Sequence, residues 1–155
     1  MLDLHYESGA VVVRLRAPRP LSAELLDGLA AAISYIGPGH PIVLTGVDGV
    51  FAADVAPGGR AALDRLLPVL EALRAHPLPV VAALNGDAIG AGYRLAEAAD
   101  ARIISGGIVQ PAPPHGMFYD PLAAVAAGLA EVHCAPEDLI GTALRHARAQ
   151  APVAG

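Results

Sequence analysis

Hydrophobic residues fall in two alternating patterns along the chain. Short, mainly apolar runs, Val11 to Leu15, Pro41 to Thr45, Pro79 to Leu84 and Ala101 to Ile104, predict strands, and the continuous one, Pro79 to Leu84, reads as buried on both faces. Between them apolar residues recur every three or four positions: Leu25, Leu26, Leu29 and Ile33, then Leu63, Leu66, Leu67, Leu70 and Leu73, then Leu95, Ala96 and Ala99. That spacing predicts helices with one buried face each. Leu2 to Tyr6 joins Val11 to Leu15 as a hairpin around Ser8-Gly9. Ser22 is placed to cap the first helix, and Glu24 complements its dipole. Pro68 predicts a kink in the second. Gly37-Pro38-Gly39 marks a break before the strand that delivers the Phe51 loop, and Asp54 to Gly59 reads as a short flexible connection.

The stretch from Pro77 to Ile104 changes its local rules fastest. A strand ends at Asn85-Gly86, a tight loop follows, Gly90-Ala91-Gly92 opens a helix, Asp100 closes it, and another strand begins. Small residues at a helix start leave unpaired N–H groups accessible, which makes an anion or oxyanion cradle. The same glycines would equally let a helix pack tightly on a sheet with no ligand. A dinucleotide fingerprint fits poorly, because Leu95 stands where its third glycine belongs. The succession of strands and helices defines an α/β chain, and pattern alone suits a spiral of ββα turns as well as an open sheet.

Composition narrows the function classes. Hydrophobic residues make up 54% but aromatics only 4%, so the core is built from alanine, valine and leucine, with the close backbone approaches these permit. The formal charge is −5 and no basic run occurs, which argues against a nucleic-acid partner. A single cysteine, Cys134, excludes an internal disulfide, and the six histidines show no metal-ligand spacing. No apolar run approaches the roughly 18 residues of a membrane span, and the N-terminus carries Asp3 with no apolar leader. These features point to a cytoplasmic protein without a metal or membrane partner.

PVVAALNGDAIGAGYRLAEAAD, from Pro79 to Asp100, and IVLTGVDGVFAAD, from Ile42 to Asp54, together resemble the crotonase family of enoyl-CoA hydratases and isomerases. The resemblance implies a crotonase-like ββα spiral, truncated in its C-terminal helical part. On that reading residues 1–155 form one domain, with a spiral core at 1–105, a Pro-rich loop at 106–120 around Pro111 to Pro114, and a C-terminal strand and helix at 121–150. In the last of these, Pro136, Glu137 and Asp138 suit the first turn of the closing helix, and Arg145 and Arg148 its far end.

The resemblance also implies an acyl thioester ligand, on CoA or a carrier, with no cofactor beyond coenzyme A as part of the substrate. Its carbonyl oxygen would lie between two backbone N–H groups, of Ala91 and of Val55, and Ala53, Asp54, Gly90, Gly92 and Tyr93 would line the site. Asp54 stands at the motif's glycine position and Val55 is β-branched, so a requirement for φ > 0 would leave either a distorted pocket or a loop realigned on Asp54. Arg94 replaces the glutamate that relatives use to handle water, and arginine cannot act as a base. Its partner would be Glu97 on the helix surface, or else a substrate anion or Asp87. The second glutamate would fall at Pro113 to His115, where His115 is the titratable residue, catalytic or merely solvated. Tyr93 and Tyr119 are reserve acids, Asp120 is an N-cap ahead of Pro121 in its bland reading, and Arg60 is placed to meet a CoA phosphate. These departures favour isomerisation or decarboxylation over hydration, or a non-catalytic binding subunit. A shortened spiral exposes apolar surface, which predicts a homodimer or trimer.

Overall fold

The computed structural model describes residues 1–16, 19–113 and 116–150. It begins with an antiparallel hairpin, β1 (Leu2–Glu7) and β2 (Ala10–Leu15), whose turn residues Ser8 and Gly9 both have positive φ, the hand that matches strand twist. Helix α1 (Ala23–Ile36) follows, and the Ser22 hydroxyl accepts the Leu25 N–H at 3.2 Å, as the capping pattern predicts. Leu25, Leu26, Leu29 and Ile33 all point inward.

Three repeats of strand, strand, helix come next. They are β3 (Ile42–Gly46), β4 (Val50–Ala52) and α2 (Arg60–Ala75); β5 (Val80–Leu84), β6 (Asp87–Ile89) and α3 (Ala91–Glu97); and β7 (Ala101–Ile104), β8 (Val109–Gln110) and α4 (Pro121–Ala126). A last strand, β9 (Val132–His133), leads through a 3₁₀ turn at Pro136–Asp138 into α5 (Leu139–Gln150). The first strand of each repeat joins one six-stranded sheet in the order β1-β2-β3-β5-β7-β9, and the second joins a separate sheet in the order β4-β6-β8. Every pairing from β2 onward is parallel. The chain is thus a spiral of ββα turns, and the second sheet is what separates it from an open α/β sheet.

That second sheet is the main feature absent from the hydrophobic pattern. Its strands are two or three residues long, too short to show a period, and β8 lies inside the stretch expected to be a Pro-rich loop. Val109 is tied there to Tyr119 by two backbone bonds of 2.8 and 2.9 Å. A second correction concerns α2: Leu66, Leu70 and Leu73 are buried together with Ala62 and Val69, whereas Leu63 and Leu67 are about half exposed. The five leucines span a wider arc than the one face that meets α1. The helix also continues through Pro68, which lies on its exposed side.

Strands β2, β3, β5 and β7 of the six-stranded sheet are covered on both faces, which accounts for their largely apolar sequences, whereas β1 at the edge is mostly exposed. Val11, Val13, Leu44, Val80, Ala82 and Leu84 join the core beneath α1, α2, α3 and the second sheet. Their neighbours Val12, Val43, Val81, Ala83 and Ile103 pack against Leu139, Ala143, Leu144 and Ala147 of α5. No helix among the described residues is long and apolar enough to cross a membrane.

Successive turns stack most closely where the chain leaves the first sheet for the second. A Cβ at Gly86 would lie 2.0 Å from the Gly49 carbonyl oxygen, and one at Gly107 2.3 Å from the Gly86 carbonyl carbon. Asn85 fastens the same corner: its Oδ1 accepts the Gly46 N–H at 2.9 Å and its Nδ2 donates to the Val50 carbonyl at 3.3 Å. Forcing backbone apart in a packed interior costs on the order of 1–3 kcal/mol. Gly86→Ala is therefore expected to lower the melting temperature by roughly 2–12 °C, while Gly39→Ala, with open space around its Cβ, leaves it unchanged. Thermal denaturation of the two variants checks this.

Candidate active site

The two segments singled out in the sequence meet in space. Phe51, fully buried, anchors β4, and the backbone that leaves β4 runs directly beneath the start of α3. A Cβ at Gly92 would lie 2.1 Å from the Ala52 carbonyl oxygen and 2.6 Å from that of Ala53, so both readings of this glycine coincide. It permits the packing, and that packing brings the first N–H of α3 to the loop after β4.

Asp54 marks the meeting point. One carboxylate oxygen, Oδ1, accepts the Val55 N–H at 2.9 Å and the Ala91 N–H at 3.0 Å. Both expected donors therefore converge on a single oxygen atom, at the distances that stabilise an oxyanion. Neither N–H serves the regular ladder: Ala91 opens α3, where the first N–H groups lack partners within the helix. Val55 is in a parallel bridge with Leu21, whose N–H bonds to the Asp54 carbonyl at 2.9 Å. Only Ser8 and Asp48 have positive φ among the described non-glycine residues, so Val55 takes its place without backbone strain.

Gly90 has φ of 53°, and a Cβ there would lie 2.4 Å from the Asp54 carboxyl carbon. Its N–H donates to the Gln110 carbonyl at 2.8 Å. Gln110 is buried beneath the loop and donates from Nε2 to the Gly116 carbonyl at 3.4 Å. Nothing in the sequence singles out that residue, because its part depends on β8 running beside β6. Arg102 is a second unforeseen support. Its Nη1 reaches the carbonyls of Ala96, Glu97 and Ala99 at 3.0–3.2 Å, closing the C-terminus of α3, while Nη2 pairs with Glu131. An arginine inside the apolar run of β7 was the only visible signal.

The remaining expected residues are dispersed. Tyr93 is 3% exposed, and its hydroxyl donates to the Leu129 carbonyl at 2.9 Å. Burial raises its pKa, with the Arg102 charge opposing, so in this arrangement it is a structural tie and not a free acid. Arg94 is exposed, and among the described residues no carboxylate lies within 4.0 Å of it. Neither the Glu97 nor the Asp87 pairing is formed: Asp87 accepts the Ile108 N–H at 3.0 Å and approaches Arg19 at 4.0 Å. Arg94 stands three residues after Ala91, in the last turn of α3. Arg60 is exposed at the first position of α2, beyond Gly58 and Gly59. Tyr119 is half-buried, and Asp120 caps α4 by accepting the Ala123 N–H at 2.8 Å, its bland reading. His115 lies outside the described residues. Among those described, no group of three or more histidine, cysteine or acidic side chains is placed to hold a metal.

Comparison with known proteins bears on the same segments. A probable enoyl-CoA hydratase of Mycobacterium tuberculosis is 35% identical over 114 residues, which is 68% of this chain and 47% of that protein. One of Rhodobacter capsulatus is 38% identical over 112 residues, 63% of this chain and 44% of that protein. The chain thus spans about half the length of the curated relatives it matches. Among solved structures, an enoyl-CoA hydratase from Bacillus anthracis superposes with a TM-score of 0.82 at 22% identity, covering 96% of this chain and 75% of that one. A monofunctional enoyl-CoA isomerase from M. smegmatis does so with a TM-score of 0.82 at 23% identity, covering 97% and 83%. At those identities the superpositions establish the fold. The family model described as Enoyl-CoA hydratase/isomerase matches residues 5–109, a span that begins in β1, ends at β8 and includes both converging N–H groups, and the chain belongs to that family.

Proposed function

We propose that the chain binds an acyl thioester, carried by coenzyme A or a carrier protein, with the thioester carbonyl oxygen between the N–H groups of Val55 and Ala91. The observation that carries this reading is their convergence on one oxygen atom, at 2.9 and 3.0 Å. Two such donors favour a thioester enolate over its neutral precursor, because the oxygen gains negative charge as the α-carbon becomes a carbanion. A single donor of this kind is worth about 3–4 kcal/mol of transition-state stabilisation.

The reaction types follow from what accompanies the cradle. Adding water across a double bond needs a base to activate it, and Arg94 stands where relatives carry the first glutamate. Isomerisation and decarboxylation ask less of the site. In decarboxylation of a malonyl-type thioester the bond between the carboxylate carbon and the α-carbon breaks. Its electron pair enters the enolate, CO₂ leaves, and the α-carbon takes a proton from water. The Arg94 guanidinium would orient the leaving carboxylate through two hydrogen bonds. The second reading, a non-catalytic binding or assembly subunit, is favoured by the Asp54 carboxylate, which holds the position a thioester oxygen would take.

Crotonyl-CoA is expected to be hydrated no faster than in buffer, as followed by loss of enoyl absorbance. Malonyl or methylmalonyl thioesters, on CoA and on carrier protein, are expected to release CO₂ above background, and Arg94→Gln to reduce that release at least tenfold. Thioester binding without CO₂ release or isomerised product would replace the enzyme reading by the binding-subunit one. Hydration that survives Arg94→Ala would overturn the residue assignment.

Tyr93→Phe separates support from chemistry. Loss of the bond to Leu129 is expected to cost about 1 kcal/mol in chemical denaturation, with thioester affinity unchanged.

Self-association belongs to the same reading. Leu63 and Leu67 on α2, and Met117, Phe118 and Leu122 around the start of α4, are each 49–69% exposed. Sedimentation at micromolar concentration is expected to give a dimer or trimer, and a persistent monomer would count against assembly.

A further inference from the structure

We propose that Asp54 is a built-in competitor for the oxyanion cradle, an internal carboxylate that must be displaced before a thioester oxygen can bind. The inference rests on the thioester reading above and adds a determinant of what the cradle accepts.

Three observations carry it. The first is occupancy: Oδ1 of Asp54 takes both converging N–H bonds, and no arginine or histidine lies within 4.0 Å of the carboxylate among the described residues. The second is fit. A Cβ at position 90 would lie 2.4–2.6 Å from the carboxyl carbon and both oxygens, so the Gly90 backbone lies flat against the group and only a glycine leaves it room. The third is attachment: the Leu21 N–H bonds to the Asp54 carbonyl at 2.9 Å, and Leu21 bridges Val55. With the loop backbone tied on that side, clearing the cradle requires rotation of the Asp54 side chain and not movement of the loop.

The chemistry gives this contact a direction. A carboxylate accepts charge-assisted hydrogen bonds, roughly twice as strong as those of a neutral carbonyl. It is also tethered beside the donors, so an incoming ligand competes against a high effective concentration. A ground-state thioester carbonyl is neutral and competes poorly. An enolate oxygen is charged and competes well, but it would lie close to the displaced carboxylate, whose repulsion opposes it. Asp54 therefore weakens thioester binding and restrains enolate formation, and a substitution that removes the carboxylate relieves both.

The test compares wild type with Asp54→Gly and Asp54→Asn. Calorimetric titration uses crotonyl-CoA as probe and free coenzyme A as control. Asp54→Gly is expected to bind crotonyl-CoA at least tenfold more tightly than wild type, Asp54→Asn to fall between, and free coenzyme A to bind all three equally. In amide NMR spectra the Val55 and Ala91 protons, deshielded by the carboxylate in wild type, are expected to move upfield in both variants. Should Asp54→Gly fail to fold, as seen by circular dichroism, the isosteric Asp54→Asn carries the comparison in both readouts. Crotonyl-CoA affinities within twofold of one another, or weaker binding by the variants, would overturn the competitor role and leave the thioester reading intact. Failure of every protein to bind crotonyl-CoA at millimolar concentration would remove both.

Discussion

Backbone contact at the corners between the two sheets is the constraint on which the rest of the structure depends. In each turn the chain passes from a strand of the six-stranded sheet to one of the three-stranded sheet, and the corners lie one upon another. Gly86 lies against the Gly49 carbonyl, and Gly107 lies against Gly86 and Asp87. No side chain fits there, and Asn85 supplies the polar link between neighbouring turns. With an interior so poor in aromatics, stability comes from many small side chains at short range, an arrangement with little room for added volume.

The same economy of space assembles the candidate site. Gly92 lets α3 lie on the end of β4, and this brings Ala91 to within about 6 Å of the Val55 nitrogen, near enough for one oxygen to bond both. Because these are main-chain donors held by two sheets and a helix, their convergence is set by the fold and not by flexible side chains. Around them stand Gln110, which receives the Gly90 N–H, and Arg102, which holds the far end of α3.

Asp54 shows how one side chain can alter such a site without moving its backbone. At a glycine position the cradle would be open, whereas here a carboxylate from the loop itself satisfies both donors. Buried or partly buried N–H groups need partners, and an acidic residue next in sequence to one of them is a ready source. The contact thus satisfies both N–H groups in the free chain and, on the proposed reading, opposes ligand entry.

Much of this was legible in the residues. Local patterns determined the hairpin at Ser8-Gly9, the Ser22 cap, the central strands and the helix begun by Gly90-Ala91-Gly92, because each depends on dihedral preference, capping or burial within a few residues. The paired motifs likewise pointed to Ala91 and Val55. Tertiary structure decided the rest. Strands β4, β6 and β8 exist only as partners of one another, so two or three residues carried no period of their own. Which leucines of α2 face inward depended on where α1 lies, and the fate of Tyr93 on where the Leu129 carbonyl falls. Most of all, the filling of the cradle by Asp54 could not be read from order along the chain, because it joins residue 54 to residue 91 through a single oxygen whose position only the stacked turns define.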